Sequence, residues 1–375
     1  MKLGTASMKT AFPIASVWFG ALVGPSMVSG AFAVVYFSPY GMWGMLLPFV
    51  SMGVACVIVG FGLLGIKEWR VDNYSDYGKH LYGRYAKYLS PLLEIYLILA
   101  MLVGGSSVIV MGGIFFHDLI GTPTLVGQIL MAIISSVLVL WGAELVRRSS
   151  AFMTIVLLIG FFLLIIISCY SEAAALTEKV LNWYVPDGRN PWSGIIPAIA
   201  LGLSNACNAL TLSSVGQHLR TNGDVVLTTI ISFTINSLMF IGCVLFLLPY
   251  VPDVLIEEVP NLYVIQKYLV DDFFWLPAVY NIVMLFGLAS SGAPQLNAVT
   301  YRVINFYPDK GIFKNPVNRN ICTSIIYMAV CILIAQLGLQ TIIGKGYSAL
   351  GYLAIPLIVI PLCICLPVRL YKEKH

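Results

Sequence analysis

Ten stretches of roughly twenty predominantly apolar residues follow one another along this chain of 375 residues. They are 11–37, 43–65, 88–114, 124–142, 151–170, 194–216, 225–250, 275–301, 320–338 and 346–367. A stretch of that length crosses hydrocarbon as a helix, because a helix satisfies its own peptide groups where no water can. Charged residues make up only 10% of the chain, against roughly 25% in a soluble domain. So few charges cannot cover a water-facing surface, and lipid must be the main solvent. The expected fold class is an all-α polytopic membrane protein of ten transmembrane helices.

The loops orient those helices. With the N-terminus inside, the tails and the loops after the second, fourth, sixth and eighth helices hold 17 of the 21 Lys and Arg. The outer loops keep Lys179, Arg189, Lys267 and Lys345. This partition follows the positive-inside rule and puts both termini in the cytoplasm, with the chain in the cell (inner) membrane. The net charge of +4 is dispersed over short loops and suggests no nucleic-acid partner. Lys2 and Lys9 before an apolar run, with Ala31-Phe32-Ala33 after it, resemble a signal peptide. Gly24-Pro25 interrupts that run, and it continues to Phe37, so a first spanning helix is the better reading. The eight cysteines lie inside apolar runs without metal-ligand spacing and read as reduced hydrophobes. His80, His117, His218 and His375 sit in loops or at ends, and no catalytic spacing appears, so no enzyme activity is expected. Asp72 to Tyr88 reads as an interfacial helix, and Pro260 to Leu269 as a short amphipathic helix outside.

A constant offset of 184 residues lays the second half of the chain on the first. It places Ser106-Ser107 on Ser290-Ser291, and Val23 to Met27 on Cys207 to Thr211. The expected organisation is a 5+5 inverted repeat: residues 1–170, an outer linker 171–193, and residues 194–375. Inverted repeats with matching interrupted helices point to a transporter binding site.

The interruption is clearest in helix 1, where Gly20, Gly24, Pro25, Ser26, Ser29 and Gly30 crowd the middle of a span. Proline removes a donor and clashes with the preceding turn, and glycine tolerates the resulting geometry. About one turn should unwind, with an inner half ending near Val23 and an outer half starting near Ser26. Helix ends of this kind attract a carboxylate at the positive end and a cation at the free carbonyls. Helix 6 carries Asn205 and Asn208 on one face, after Ser204, but no proline, so the signal for a break there is weaker.

The stretch Gly20 to Gly41, with Val23-Gly24, Ser29-Gly30, Phe37 and Pro39-Tyr40-Gly41, resembles the opening of YkvI-like bacterial membrane proteins. These are placed in the amino acid–polyamine–organocation superfamily, which shares the LeuT-type fold with discontinuous helices 1 and 6. Pro25-Ser26-Met27 replaces the usual Gly-rich step, and Ala31-Phe32 replaces a polar pair, so substrate identity does not carry over. The resemblance implies a lid at 260–269. It also implies a sodium site between helices 1 and 8, with Gly20 and Val23 supplying carbonyls and Gly287, Ser290 and Ser291 completing it. Residues 151–170 hold no lysine to replace that ion.

No Arg, Lys, Asp or Glu occupies the central stretches, which suits a small neutral or zwitterionic solute such as an amino acid. The candidate contacts are Ser26, Met27, Ser29, Gly30, Gly105, Ser106, Ser204, Asn205 and Asn208. No cofactor is expected beyond Na+ as coupling ion. The alternatives are proton coupling, with Glu94 as the carrier, and a channel or solute sensor on the same scaffold. As a plain structural feature Glu94, like Glu144, would be an interfacial carboxylate with a basic partner such as Lys87 or Arg147. Glu144 is the other acid inside a span. Substrate identity and oligomeric state are not legible in these residues.

Overall fold

The computed structural model describes residues 4–22, 24–71, 74–141, 143–306 and 315–369, and no strand occurs among them. The first expected span is divided into α1 (Met8–Leu22), the single turn α2 (Pro25–Val28) and α3 (Ala31–Tyr36). Then come α4 (Leu47–Trp69), α5 (Tyr74–Tyr82), α6 (Ala86–Ile120), α7 (Thr124–Trp141), α8 (Ala143–Ser171) and α9 (Ala173–Leu181). The second half holds α10 (Ile195–Ser204), α11 (Asn208–Thr211), α12 (Ser213–Gly216), α13 (Asn222–Leu247) and α14 (Pro260–Val264). It closes with α15 (Leu276–Phe306), α16 (Pro316–Ala335), α17 (Leu339–Thr341) and α18 (Ser348–Ala354), the last flanked by π-helical turns.

Each expected span is helical, and the differences lie in continuity. Six stretches among the described residues are long and apolar enough to cross a bilayer unbroken. They are Leu47–Trp69, Tyr74–Ile120, Pro191–Thr211, Asn222–Tyr250, Asn318–Ala335 and Leu339–Arg369. Val156–Ser171 is followed by an 85° bend into Ala173–Leu181, and shorter apolar helices cover Thr124–Leu138 and Leu276–Ala289. Ile325, Ile326 and Leu333 of α16 stay exposed, as lipid-facing side chains do.

Small residues let the helices close on one another. A methyl added at Gly62 of α4 would come 2.6 Å from the Ala209 methyl of α11. The start of α1 is tied to the start of α13: the Ser7 amide donates to Asp224 Oδ1 at 2.8 Å, and Thr221 and Asp224 form a capping box. α1 and α13 therefore begin at one end of the bundle and run side by side. The same end holds Lys67, Arg220 and Arg369, whose guanidinium donates to the His80 carbonyl of α5. We call it the basic end.

The opposite, aromatic end is closed by a 3-10 segment, Ser38–Met45, folded over residues 183–192. Gly41 (φ 56°) has no room for a side chain because the Tyr184 carbonyl fills that space, and the Met42 amide donates to that carbonyl at 2.9 Å. Trp43 packs on Trp183 and Trp192 at 5.7 and 5.4 Å between ring centres, an arrangement suited to a membrane interface. Behind it, Lys179 of α9 donates to the carbonyls of Leu248, Pro249 and Val251 at 3.2, 2.8 and 2.6 Å. One ammonium group thus ties together the carbonyls of the turn that follows α13. Lys179→Ala is expected to cost about 1 kcal/mol, read as a lower midpoint in a detergent-solubilised thermal melt, with Lys179→Arg retaining part of the difference.

Candidate functional site

The site grows out of the interruption in helix 1. Pro25 sits at the first position of α2, where its missing N–H is no loss. The chain then leaves the helix at Gly30, which is left-handed at φ 84°. The helical segments end at Leu22 and again at Val28, with α2 (Pro25–Val28) between them and a second interruption at 29–30, rather than the single unwound turn expected. The outer half starts at Ala31 and not near Ser26.

The break strands carbonyls in the bilayer interior, and side chains from elsewhere meet them. The Val28 carbonyl accepts from Asn261 Nδ2 at 2.7 Å and from the Tyr280 hydroxyl at 3.2 Å. The Ser29 carbonyl accepts from the Asn261 amide at 3.0 Å. Ser29 Oγ accepts from the Ala31 amide at 3.1 Å. Asn261 belongs to α14 and Tyr280 to α15, and both are fully buried. The short outer helix is thus bonded directly to the break. Neither residue was among the expected contacts. Asn261 carried a weak signal, as an amide in an otherwise amphipathic helix, and Tyr280 carried none.

Beside Gly24 lies a cavity of ≈ 240 Å3. Its polar walls are Ser204, Asn205, Asn208 and Thr211 on one side and Ser291 and Gln295 of α15 on the other. α10 does not unwind here. It tightens into one 3-10 turn, Asn205–Cys207, because without a proline the hydrogen-bond ladder shifts register instead of opening. Asn205 Nδ2 donates to the Leu201 carbonyl at 3.0 Å, and Asn208 Nδ2 to Asn205 Oδ1 at 3.1 Å. Ser291 Oγ is buried without a partner and stands 3.1 Å from where a Gly24 side chain would begin.

Ser204, Asn205, Asn208 and Ser291 all line one cavity. Met27, Ser29 and Gly30 do not line it. They lie buried beyond the break, against α13, α14 and α15. Gly105 and Ser106 also turn away: Ser106 Oγ bonds back to the Leu102 carbonyl at 2.6 Å, and Gly105 packs against Tyr327. Gly104 takes their place on the wall. Gly287 packs on Val28, and Gly20 is half-buried outside the cavity lining. Val23 and the side chains of Ser26, Ser290 and Glu144 lie outside the described residues.

The cavity is sealed unequally. Toward the aromatic end, Phe32 and Tyr347 form its roof, edge to face at 5.1 Å, with Phe240 behind Phe32 at 6.0 Å. The Tyr36 hydroxyl pins this layer to the Ile343 carbonyl at 2.8 Å. Toward the basic end stands an ion pair, Arg302 with Glu94 at 3.6 Å. Arg302 is 4% exposed and Glu94 16%. Tyr74 of α5 links them, accepting from Arg302 Nε at 2.8 Å and donating to Glu94 Oε2 at 3.3 Å. Arg302 Nη1 also reaches Met101 Sδ, which is part of the cavity wall, at 2.6 Å. The partner of Glu94 among the described side chains is thus Arg302 and not Lys87, while the side chain of Arg147 lies outside them. The last turns of α15 carry Arg302 inward, where the sequence reading placed it in a loop.

Sodium would need hard oxygen ligands here. The unpartnered Ser291 hydroxyl beside Gly24 fits such a ligand, and it stands on the two helices where the resemblance places that ion.

No protein-family model matches the chain. The uncharacterised membrane protein YkvI of Bacillus subtilis (strain 168) is 21% identical over 374 residues, covering 97% of this chain and 98% of its own length. Among solved structures, a substrate-bound Na+-coupled sialic acid symporter superposes with a TM-score of 0.64 at 10% identity, over 96% of this chain and 90% of its own. MhsT in complex with L-phenylalanine gives 0.62 at 15% identity, over 98% of each chain. Mhp1, a nucleobase-cation-symport-1 family transporter with bromovinylhydantoin bound, gives 0.64 at 14% identity, over 93% of this chain and 77% of its own.

Two stability experiments follow from the geometry. Tyr280→Phe removes one of two donors on the Val28 carbonyl and should cost about 1 kcal/mol, with Asn261→Ala costing about 2–3 kcal/mol, both read from thermal melts. Glu94→Gln or Arg302→Met alone should destabilise by about 3–5 kcal/mol, and the double variant should recover much of that loss. A double-mutant cycle on the purified protein measures the coupling.

Along its whole length, then, the chain is a multi-pass membrane protein similar to YkvI, built on the LeuT-type helical fold.

Proposed function

We propose that the protein is a secondary active transporter that takes up a small neutral or zwitterionic solute, such as an amino acid, with sodium. The observation that carries this reading is the cavity beside the interrupted helix 1, a largely apolar recess whose polar groups are amides and hydroxyls, with no charged side chain among the described residues that line it. Such polar groups in mid-membrane are costly unless a solute, water or an ion completes their hydrogen bonds. Its two seals are built differently, one of aromatic rings and one of an ion pair, as alternating access to one site requires.

In this reading Ser204, Asn205 and Asn208 contact the solute, and Ser291 with the carbonyls of the break holds Na+. Residues 1–170 and 194–375 act as inverted repeats that rock against each other. The basic end faces the cytoplasm in the cell membrane, in line with the distribution of Lys and Arg. One sodium ion moving down about 100 mV supplies roughly 2.3 kcal/mol, enough for tens-fold accumulation. Mhp1, MhsT and the sialic acid symporter share the fold, and the sialic acid symporter is Na+-coupled. The aromatic seal counts against an open channel. Proton coupling is the second reading, favoured by a half-buried Glu94 whose partner Arg302 reaches Met101 of the cavity wall.

Uptake into proteoliposomes separates these readings. An amino-acid panel is offered under sodium, potassium and proton gradients imposed singly. Saturable uptake driven by sodium, reduced at least tenfold in Ser291→Ala, is the expected result. Uptake driven by protons and lost in Glu94→Gln would replace sodium as the coupling ion, and flux that never saturates would mean a channel.

A further inference from the structure

The hydrogen bonds that the cavity leaves unmade describe its solute more closely. Ser204 Oγ is spent on the Leu201 carbonyl at 2.7 Å. Asn205 Nδ2 gives one N–H to the Leu201 carbonyl, and Asn208 Nδ2 gives one to Asn205 Oδ1, so both amides are already held in part by the protein. Gln295 differs: its Oε1 is buried without a partner, and its Nε2 meets no acceptor among the described residues. The side chain reaches the cavity because position 104 is glycine. A methyl at Gly104 would sit 2.8 Å from Gln295 Nε2 and 2.9 Å from Oε1. An intact carboxamide is thus held bare on the wall, one helical turn beyond Ser291, in a cavity that Leu97, Ala100 and Leu201 also line.

A carboxamide offers one donor and one acceptor side by side in a plane. Its complement is another planar edge with acceptor and donor adjacent, the geometry by which Gln and Asn read a nucleobase. A carboxylate would match only the donor, and an ammonium only the acceptor. Each would bring a charge into a cavity whose nearest full charges, Arg302 and Glu94, already neutralise each other.

We propose that the solute of this cavity is an uncharged, planar molecule with an amide-type edge, a lactam, ureide or aromatic carboxamide, and that Gln295 is the residue that recognises that edge. The assignment rests on the reading of the cavity as the solute site and narrows its solute class to the neutral limb.

The test uses the full chain in lipid nanodiscs and measures binding by ligand-induced thermal shift. The probes are uracil, 2-pyridone and nicotinamide. N-methyl-2-pyridone, which lacks the donor, and L-leucine and L-phenylalanine serve as contrasts. At least one amide-edged probe is expected to bind at least tenfold more tightly than N-methyl-2-pyridone and either amino acid. Gln295→Glu, which replaces the donor by an acceptor in the same shape, should remove that preference by tenfold or more. Gly104→Ala should weaken binding by displacing the carboxamide while leaving it in the chain. Unliganded melting points within a few degrees of the parent show that the variants are folded. A Gln295→Leu variant serves if the glutamate does not fold. Binding of the amino acids with no response to Gln295 variants overturns the proposal, as does failure of all three amide-edged probes. Sodium-driven uptake of an amino acid would then leave the transporter reading intact. Tight binding of a probe with no uptake in proteoliposomes would instead keep the assignment of Gln295 and defeat transport.

Discussion

Two carbonyl groups, those of Val28 and Ser29, set the terms for the centre of this protein. A peptide carbonyl left bare in hydrocarbon costs several kcal/mol, and the left-handed turn at Gly30 takes away the donors that a continuous helix would have supplied. Asn261 and Tyr280 restore them from two other elements. The short helix α14 and the long helix α15 are thereby fixed against the break, and the cavity beside Gly24 takes its shape from that arrangement. Remove the break and there is no mid-membrane recess. Remove the donors and the break is too costly to keep.

Much of this was legible from residue order. The ten apolar runs, the punctuation at Gly24-Pro25, and the amides Asn205 and Asn208 on one helical face are local features, and the chain folds locally as they suggest. What was not legible is pairing between distant segments. Ser106, a candidate contact, instead bonds the carbonyl four residues back on its own helix. Met27 and Ser29 sit in the break but face α13 and α14 rather than the cavity, a direction set by tertiary packing. Gln295 could have been found, since it lies one turn beyond Ser291 on the same helix. Arg302 could not, because only the continuation of α15 to Phe306 shows that it points back into the bundle.

The fold alone does not choose a solute. Structures sharing this scaffold at 10–15% identity are described with a sialic acid, L-phenylalanine or a hydantoin. In this chain the distinction falls to a handful of uncharged groups, and what they leave unbonded says more than what they bond.

Gly30 has a mechanical meaning as well. Phe32, part of the cavity's ceiling, is carried only two residues beyond it. Asn261 grips the chain on the other side of the same glycine. Ceiling and outer loop thus share a fulcrum one residue wide, with no side chain to stiffen it. A few degrees of swivel there would be magnified at the Phe32 ring, so whatever loosens the grip of α14 also tilts the ceiling.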